Sequence, residues 1–204
     1  MSLDHIESLL EPGDVLFTSI PNFLYRRVAK ATGSTTSHVG IAFYDPKAGW
    51  LVAESAVPTV RCTPLSTFIS RSDKGWLVIR RMCGGLSTTQ IRSLRNECDV
   101  RMGKLYHFGF HYGSSRQFCS KFVYETYSAA LGVEVGTLES FRTLLNSLPN
   151  TPLWFWRLWF FGRIPWARLT VTPASQLRSN KLETVWETPR ISSSTQGFHS
   201  SKNQ

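Results

Sequence analysis

A thiol, an imidazole and a carboxylate occur along this chain in the order His38, Glu54, Cys119, and those three groups suffice for nucleophilic catalysis. The thiolate attacks a carbonyl, the imidazole takes the thiol proton, and a polar third group fixes the ring. Cys119 lies in SSRQFCSKFVYETYSAALG, Ser114 to Gly132, where Phe118, Phe122, Val123, Tyr127 and Ala130 recur at helical spacing. Ser114 or Ser115 is expected to cap that helix and to place the thiol in its first turn. There the unpaired N–H groups and the positive end of the macrodipole favour a thiolate. The competing assignment is a small core residue, because cysteine is among the most buried residue types.

The other two groups belong to a pair of strands. In SHVGIAFY, Ser37 to Tyr44, the apolar residues Val39, Ile41 and Phe43 alternate with smaller ones, and His38 stands at the start. The turn Asp45-Pro46-Lys47-Ala48-Gly49 leads into WLVAES, Trp50 to Ser55, which predicts a hairpin. In an antiparallel pair, Glu54 can lie near His38 and orient its imidazole, while Cys119 approaches within hydrogen-bonding reach of the ring.

The surrounding elements follow the same rules. Val15 to Ser19 reads as a short buried strand, followed by a helix from Asn22 to Thr32 with Asn22 as cap, Leu24, Val28 and Ala31 on one face, and Gly33 as its stop. A short strand near Val60, a helical turn from Leu65 to Ser70 and a strand from Trp76 to Arg81 come next. Ser87-Thr88-Thr89-Gln90 is a capping-box pattern that opens a helix running to about Met102, and Glu139 to Leu148 reads as another helix. No internal repeat occurs, and pattern fades from Asn180 onward. Helices and an antiparallel sheet in separate blocks make the expected class α+β.

At the segments EPGDVLFTSI, SHVGIAFY, LVAES and RQFCSKFVYETY the chain resembles the YiiX/YebB-like permuted papain-fold enzymes, most of all the YebB-like group. These are relatives of the NlpC-type peptidases and of lecithin retinol acyltransferase. KLYHFGFHYGSSRQFCSKF, LLNSLPN and FFGRIPWARLTVTPAS extend the resemblance over roughly Glu11 to Trp186. It implies a circularly permuted papain-like fold, with histidine preceding cysteine in the chain, and the sheet packed on the helix that carries the nucleophile. It further implies a thiol hydrolase or acyltransferase acting on an amide or ester, with Cys119 as nucleophile, His38 as base and Glu54 as orienter. The substrate is expected to be a small molecule, a lipid acyl group or a peptide, and no cofactor is expected. An acyl-chain-binding protein on the same fold, with little turnover, is the alternative.

Composition bounds these expectations. The chain has 204 residues, 42% of them hydrophobic and 18% charged, which suits one catalytic domain over residues 1–189 with a Ser-, Gln- and Asn-rich disordered tail over 190–204. The four cysteines, Cys62, Cys83, Cys98 and Cys119, have neither a CxxC pair nor metal-ligand spacing, so neither disulfides nor a metal is expected. Acidic residues interrupt the N-terminal stretch and no secretory signal is visible, so the expected location is the cytoplasm. The formal charge is +9, but the basic residues are scattered without a sustained run, which argues against nucleic acid as a partner.

Two aromatic segments have separate readings. Tyr106, His107, His111 and Tyr112 lead into the nucleophile helix. Tyr106, His107, Tyr112 and Gln117 are candidate cleft residues, with His107 an alternative base and aromatic packing the plainer role for His107 and His111. Gln117 or the backbone N–H of Cys119 is a candidate oxyanion donor. Leu153 to Trp166 holds four of the seven tryptophans. It is too short and too charged to span a membrane, and it reads as a core-covering helix lining the cleft in preference to an interfacial anchor.

Overall fold

A computed structural model of the chain describes residues 2–147 and 153–189. Its centre is a six-stranded antiparallel sheet built from β1 (Val15–Thr18), β2 (His38–Asp45), β3 (Gly49–Ser55), β4 (Val60–Pro64), β5 (Leu77–Met82) and β8 (Leu182–Glu187) in the order β4-β3-β2-β1-β5-β8. A second, two-stranded ladder pairs β6 (Glu139–Ser140) with β7 (Leu169–Thr170). The α+β class and the antiparallel sheet packed against the Cys119 helix are as the sequence implies.

Alternation along β2 decides which helices cover which face. Val39, Ile41 and Phe43 point to one side, where they cluster with Phe122, Val123 and Tyr127 of α5 (Cys119–Leu131) and with Leu94 and Cys98 of α4 (Thr88–Asp99). Ala42 points to the other side and joins Val52, Ile6 and Leu10 from the region of α1 (Leu3–Leu9), and Leu65 and Phe68 of α3 (Leu65–Ser70). Each fully buried aliphatic or aromatic side chain of this kind contributes about 1.5–3 kcal/mol. The β2–β3 turn is closed by Asp45, whose Oδ1 accepts from the N–H groups of Lys47 and Ala48, and Gly49 takes the left-handed conformation with φ of 74°.

The opening EPGD motif is a charge anchor. Asp14 is buried, accepts from the Glu11 N–H, and receives Arg81 Nε and Nη2 at 2.8 Å each. That fork ties the entrance of β1 to β5, on the strand's other side from β2.

Several local expectations need correction. The nucleophile helix is not capped by Ser114 or Ser115: its N-cap is Phe118, in extended conformation with no side-chain cap, and Cys119 is the first helical residue. Residues 105–117 are held as a loop by backbone hydrogen bonds, which take the serines out of capping position. The Ser87–Gln90 capping box is present, but α4 ends at Asp99, short of Met102. Glu139 and Ser140 belong to β6, and only Phe141–Asn146 is helical (α6), with Leu148 outside the described residues. The aromatic segment forms a helix over Leu153–Trp159 alone (α7). Past Asn180 the chain pairs β8 onto the exposed side of β5, and the tail expected over 190–204 lies outside the described residues. The two remaining helices are α2 (Phe23–Ala31), beginning just after Asn22, and α8 (Pro173–Leu177).

Candidate active site

His38 is the first residue of β2, and Glu54 is the penultimate residue of β3. Ile41 pairs with Ala53 in an antiparallel register that places Glu54 opposite Gly40, so His38 and Glu54 are diagonal neighbours on one face of the sheet. Gly40 makes that approach possible. A Cβ at this position would stand 2.5 Å from Val52 Cγ1, 3.0 Å from the Ala53 carbonyl and 3.4 Å from Glu54 Cβ.

Both side chains are wholly buried, and His38 Nε2 lies 2.5 Å from Glu54 Oε2. Glu54 is satisfied by two further donors: Thr63 Oγ1 donates to Oε1 at 2.6 Å, and Arg71 Nη2 donates to Oε1 at 2.7 Å and Oε2 at 2.8 Å. Burial alone would raise the Glu54 pKa, but the His38 and Arg71 interactions overcome it and bring the value down to about 2. Glu54 is therefore a carboxylate at any ordinary pH. It can only accept, so the imidazole must donate from Nε2.

This fixes the chemistry of the opposite ring nitrogen. His38 Nδ1 is buried and closes no hydrogen bond of ordinary geometry, while the ring interacts with the Cys119 thiol. Catalytic contacts are often long in unliganded sites and tighten when substrate binds. Burial disfavours the imidazolium, but Cys119 and Glu54 outweigh it and lift the His38 pKa to about 9. With Nε2 donating to Glu54, Nδ1 is the atom left to take a proton from sulfur.

Cys119 is 4% exposed, at the N-terminus of a 13-residue helix. The first hydrogen bond of the helix runs from Phe122 N to Phe118 O, so the N–H groups of Cys119, Ser120 and Lys121 have no acceptor within it. The helix start is anchored by Ser120, whose Oγ donates to Val171 O and whose carbonyl accepts from Gln176 Nε2.

A cavity with about 460 Å³ of empty space, its mouth included, opens on Cys119. Val28, Phe110, Phe118, Phe141, Leu144 and Trp156 make its wall largely apolar, and the phenols of Tyr25 and Tyr106 supply polar groups near the sulfur. Burial, the largest effect, and the nearby Cys119 push both phenols above their ordinary range, so they remain O–H donors, and the two hydroxyls interact. Tyr25 stands edge-on to the His38 ring, at 5.8 Å between centroids and 89° between planes, and Phe68 lies against that ring at 5.7 Å.

The model for the permuted papain-like amidase enzymes of the YaeF/YiiX type, the C92 family, matches residues 9–186. The chain belongs to that family. It is 30% identical over 175 residues to an uncharacterized Escherichia coli K12 protein, YiiX, covering 86% of this chain and 85% of the relative. A crystal structure of yiiX from Escherichia coli O157:H7 superposes with a TM-score of 0.81 at 31% identity, covering 87% of this chain and 97% of the other. The solved relative is described as a metalloprotein. Among the described residues of this family member, no three His, Cys, Asp or Glu side chains come together so as to hold an ion. No helix among them is long and apolar enough to cross a membrane.

Of the candidate cleft residues in this C92 chain, Tyr106 lines the cavity and three others stand outside it. Gln117 Nε2 donates to Glu125 Oε2 at 2.8 Å, and its backbone brackets the 105–107 strand-like segment through Gln117 N to Leu105 O and His107 N to Gln117 O. The Gln117 side chain is therefore committed to the outer side of α5. His107 Nδ1 accepts from Gly109 N at 3.0 Å, and its ring faces His111, which makes it a loop organiser. Tyr112 packs edge-on against Tyr124, with Lys121 over its ring.

Sequence reasoning missed Tyr25, Thr63, Arg71 and the role of Gly40. Arg71 is the C-cap residue of α3, and Thr63 sits on β4 across from Val52. The only sequence signal for either was proximity to elements already assigned, since donors to a buried carboxylate carry no spacing rule.

Proposed function

We propose that the protein is a thiol hydrolase that cleaves an amide or ester whose acyl side is apolar. The observation that carries this reading is that Cys119 lines a largely apolar cavity, with His38 and its hydrogen-bonded partner Glu54 buried behind the thiol. In the proposed cycle, His38 Nδ1 already holds the proton taken from Cys119, and the sulfur attacks the carbonyl carbon as a thiolate. The resulting oxyanion lies within reach of the free helix N–H groups and a phenol of Tyr25 or Tyr106. His38 then gives the proton to the leaving nitrogen or oxygen, which departs and leaves an acyl-thioester on Cys119. Water, deprotonated by the same imidazole, attacks the thioester, and the free acid leaves while sulfur returns to the thiolate beside the protonated ring. An amine or alcohol acceptor in place of that water makes the same cycle an acyl transfer.

The test is intact mass after incubation with a panel of long-chain acyl amides, acyl esters and peptide amides. A transient adduct on Cys119 in the wild type, absent in Cys119→Ala, is the expected result. Fatty-acyl ligands that bind equally to wild type and Cys119→Ala, with no adduct or product from any panel member, would replace the enzyme by an acyl-chain-binding protein.

A further inference from the structure

Helix α7 has two sides, and among the described residues one of them packs into the fold. Phe155 and Trp156 are 3% exposed and pack inward, Trp156 reaching the wall of the Cys119 cavity. Trp154 is 57% exposed, Leu158 72% and Phe161 97%. Phe161 also has a φ of 52°, a left-handed conformation that is costly for a bulky residue, and its ring buries almost nothing in return. Phe23, at the start of α2, adds its exposed ring beside them across the same groove.

The charge around this surface has one sign. Residues 15–44 and 140–182, which contribute α2 and α7, contain no aspartate or glutamate. Arg27 lies 5.0 Å over the Phe23 ring and 5.2 Å over that of Trp154, Arg163 and Arg168 line the groove, and no carboxylate lines it among the described residues. Arg157 extends the same side. Protruding aromatic and aliphatic tips ringed by arginines match a surface whose outer layer is anionic and whose interior is hydrocarbon. A second copy of this chain would have to set two cationic faces against each other.

We propose that this face docks on an anionic lipid surface, with Trp154, Leu158 and Phe161 entering the headgroup boundary and Arg27, Arg157 and Arg163 pairing with lipid phosphates. Docking of this kind stands independently of catalysis at Cys119. It also places the cavity one helix thickness from the bilayer, since Trp156 forms the inner side of the helix whose outer side inserts.

Co-sedimentation with phosphatidylcholine vesicles containing about 30 mol% phosphatidylglycerol tests the proposal. The wild-type chain should bind them at least about tenfold more tightly than pure phosphatidylcholine vesicles, and binding should weaken as salt is raised. Leu158→Ser combined with Phe161→Ser changes only exposed side chains, and it should reduce binding about tenfold or more while leaving the thermal unfolding midpoint in place. Arg157→Glu with Arg163→Glu is a second variant that should lose the preference for phosphatidylglycerol. Absence of vesicle binding by the wild type, or equal binding by all three proteins, overturns the proposal. So does a wild-type dimer in light scattering that Leu158→Ser/Phe161→Ser dissociates, because the face would then belong to a second copy.

Discussion

Arg71 Nη2 bridges both oxygens of Glu54, at 2.7 and 2.8 Å, from the end of a helix on the same side of the sheet as His38. Glu54 is fully buried, and a carboxylate removed from water persists only when its charge and lone pairs are met. His38, Thr63 and Arg71 meet them together.

Arg71→Met should therefore leave an undercompensated buried carboxylate. The expected loss is about 2 kcal/mol, read as a lower urea midpoint at unchanged slope, and a Glu54 pKa moved upward. An unchanged midpoint would mean that His38 and Thr63 alone hold the charge.

The two pKa shifts give stability a pH profile with defined signs. Glu54 is lowered from 4.5 to about 2, so its contribution is present above pH 4.5 and is lost as pH falls through about 2. His38 is raised from 6.5 to about 9, so its contribution is complete below pH 6.5 and is lost as pH rises through about 9. Denaturant melts across pH should show Glu54→Gln flattening the acid limb and His38→Gln flattening the alkaline limb. Because both limbs draw on one shared contact, Glu54→Gln should also weaken the alkaline limb. Independent limbs would contradict the coupling.

Thiol alkylation separates the four cysteines by environment. Burial pushes the Cys98 thiol far up and Cys62 up as well, while Cys83 is exposed. Iodoacetamide near neutral pH should modify Cys119 first, through its cavity and beside His38, then Cys83, with Cys98 protected in the folded state. His38→Ala should slow Cys119 alone, by about tenfold or more, because only that thiol loses its proton acceptor. Equal slowing at Cys83 would point to a global change in fold.

A phenol near the sulfur should matter to the rate and little to the fold. Tyr106→Phe keeps the ring in the cavity wall and removes an O–H group held there with Tyr25. A fall in kcat of about tenfold to a hundredfold with KM nearly unchanged is expected if that group, or the Tyr25 phenol it orients, meets the oxyanion. A rise in KM alone would assign it to substrate packing.

The strands that carry His38 and Glu54 were legible because Val39, Ile41 and Phe43 alternate along β2 and a clear turn, Asp45 to Gly49, leads into the apolar run of β3. The capping box at Ser87 was readable for the same local reason. What the sequence hid is what depends on the sheet being assembled. Arg71 lies 17 residues from Glu54 and Thr63 nine, and only the register of β3 with β4 and the packing of α3 bring them to it. β8 escaped notice because an edge strand buries so little: Leu182 is buried, while Glu183 and Thr184 are exposed. The start of α5 was misplaced because Phe118 caps it with extended backbone alone, and nearby serines offered a stronger but unused signal.

Gly40 is the most economical test of the site's geometry, because it touches no reacting atom and yet sets the spacing of the strands that hold two of them. In Gly40→Ala the new methyl would stand 2.5 Å from Val52 Cγ1 and 3.0 Å from a backbone oxygen of β3, so β2 and β3 must separate locally. Overpacking of this kind costs about 1–3 kcal/mol. The separation also lengthens the His38–Glu54 contact, so the variant should lose part of the acid limb of the pH profile and part of the His38-dependent alkylation of Cys119. Val52→Ala in the same chain removes the side-chain clash but leaves the 3.0 Å approach to the Ala53 carbonyl. The double variant should therefore be more stable than the sum of the two single losses predicts, while the alkylation rate recovers only in part. A Gly40→Ala protein with wild-type stability and an unaltered Cys119 rate would show that the strand spacing does not govern the contact between His38 and Glu54.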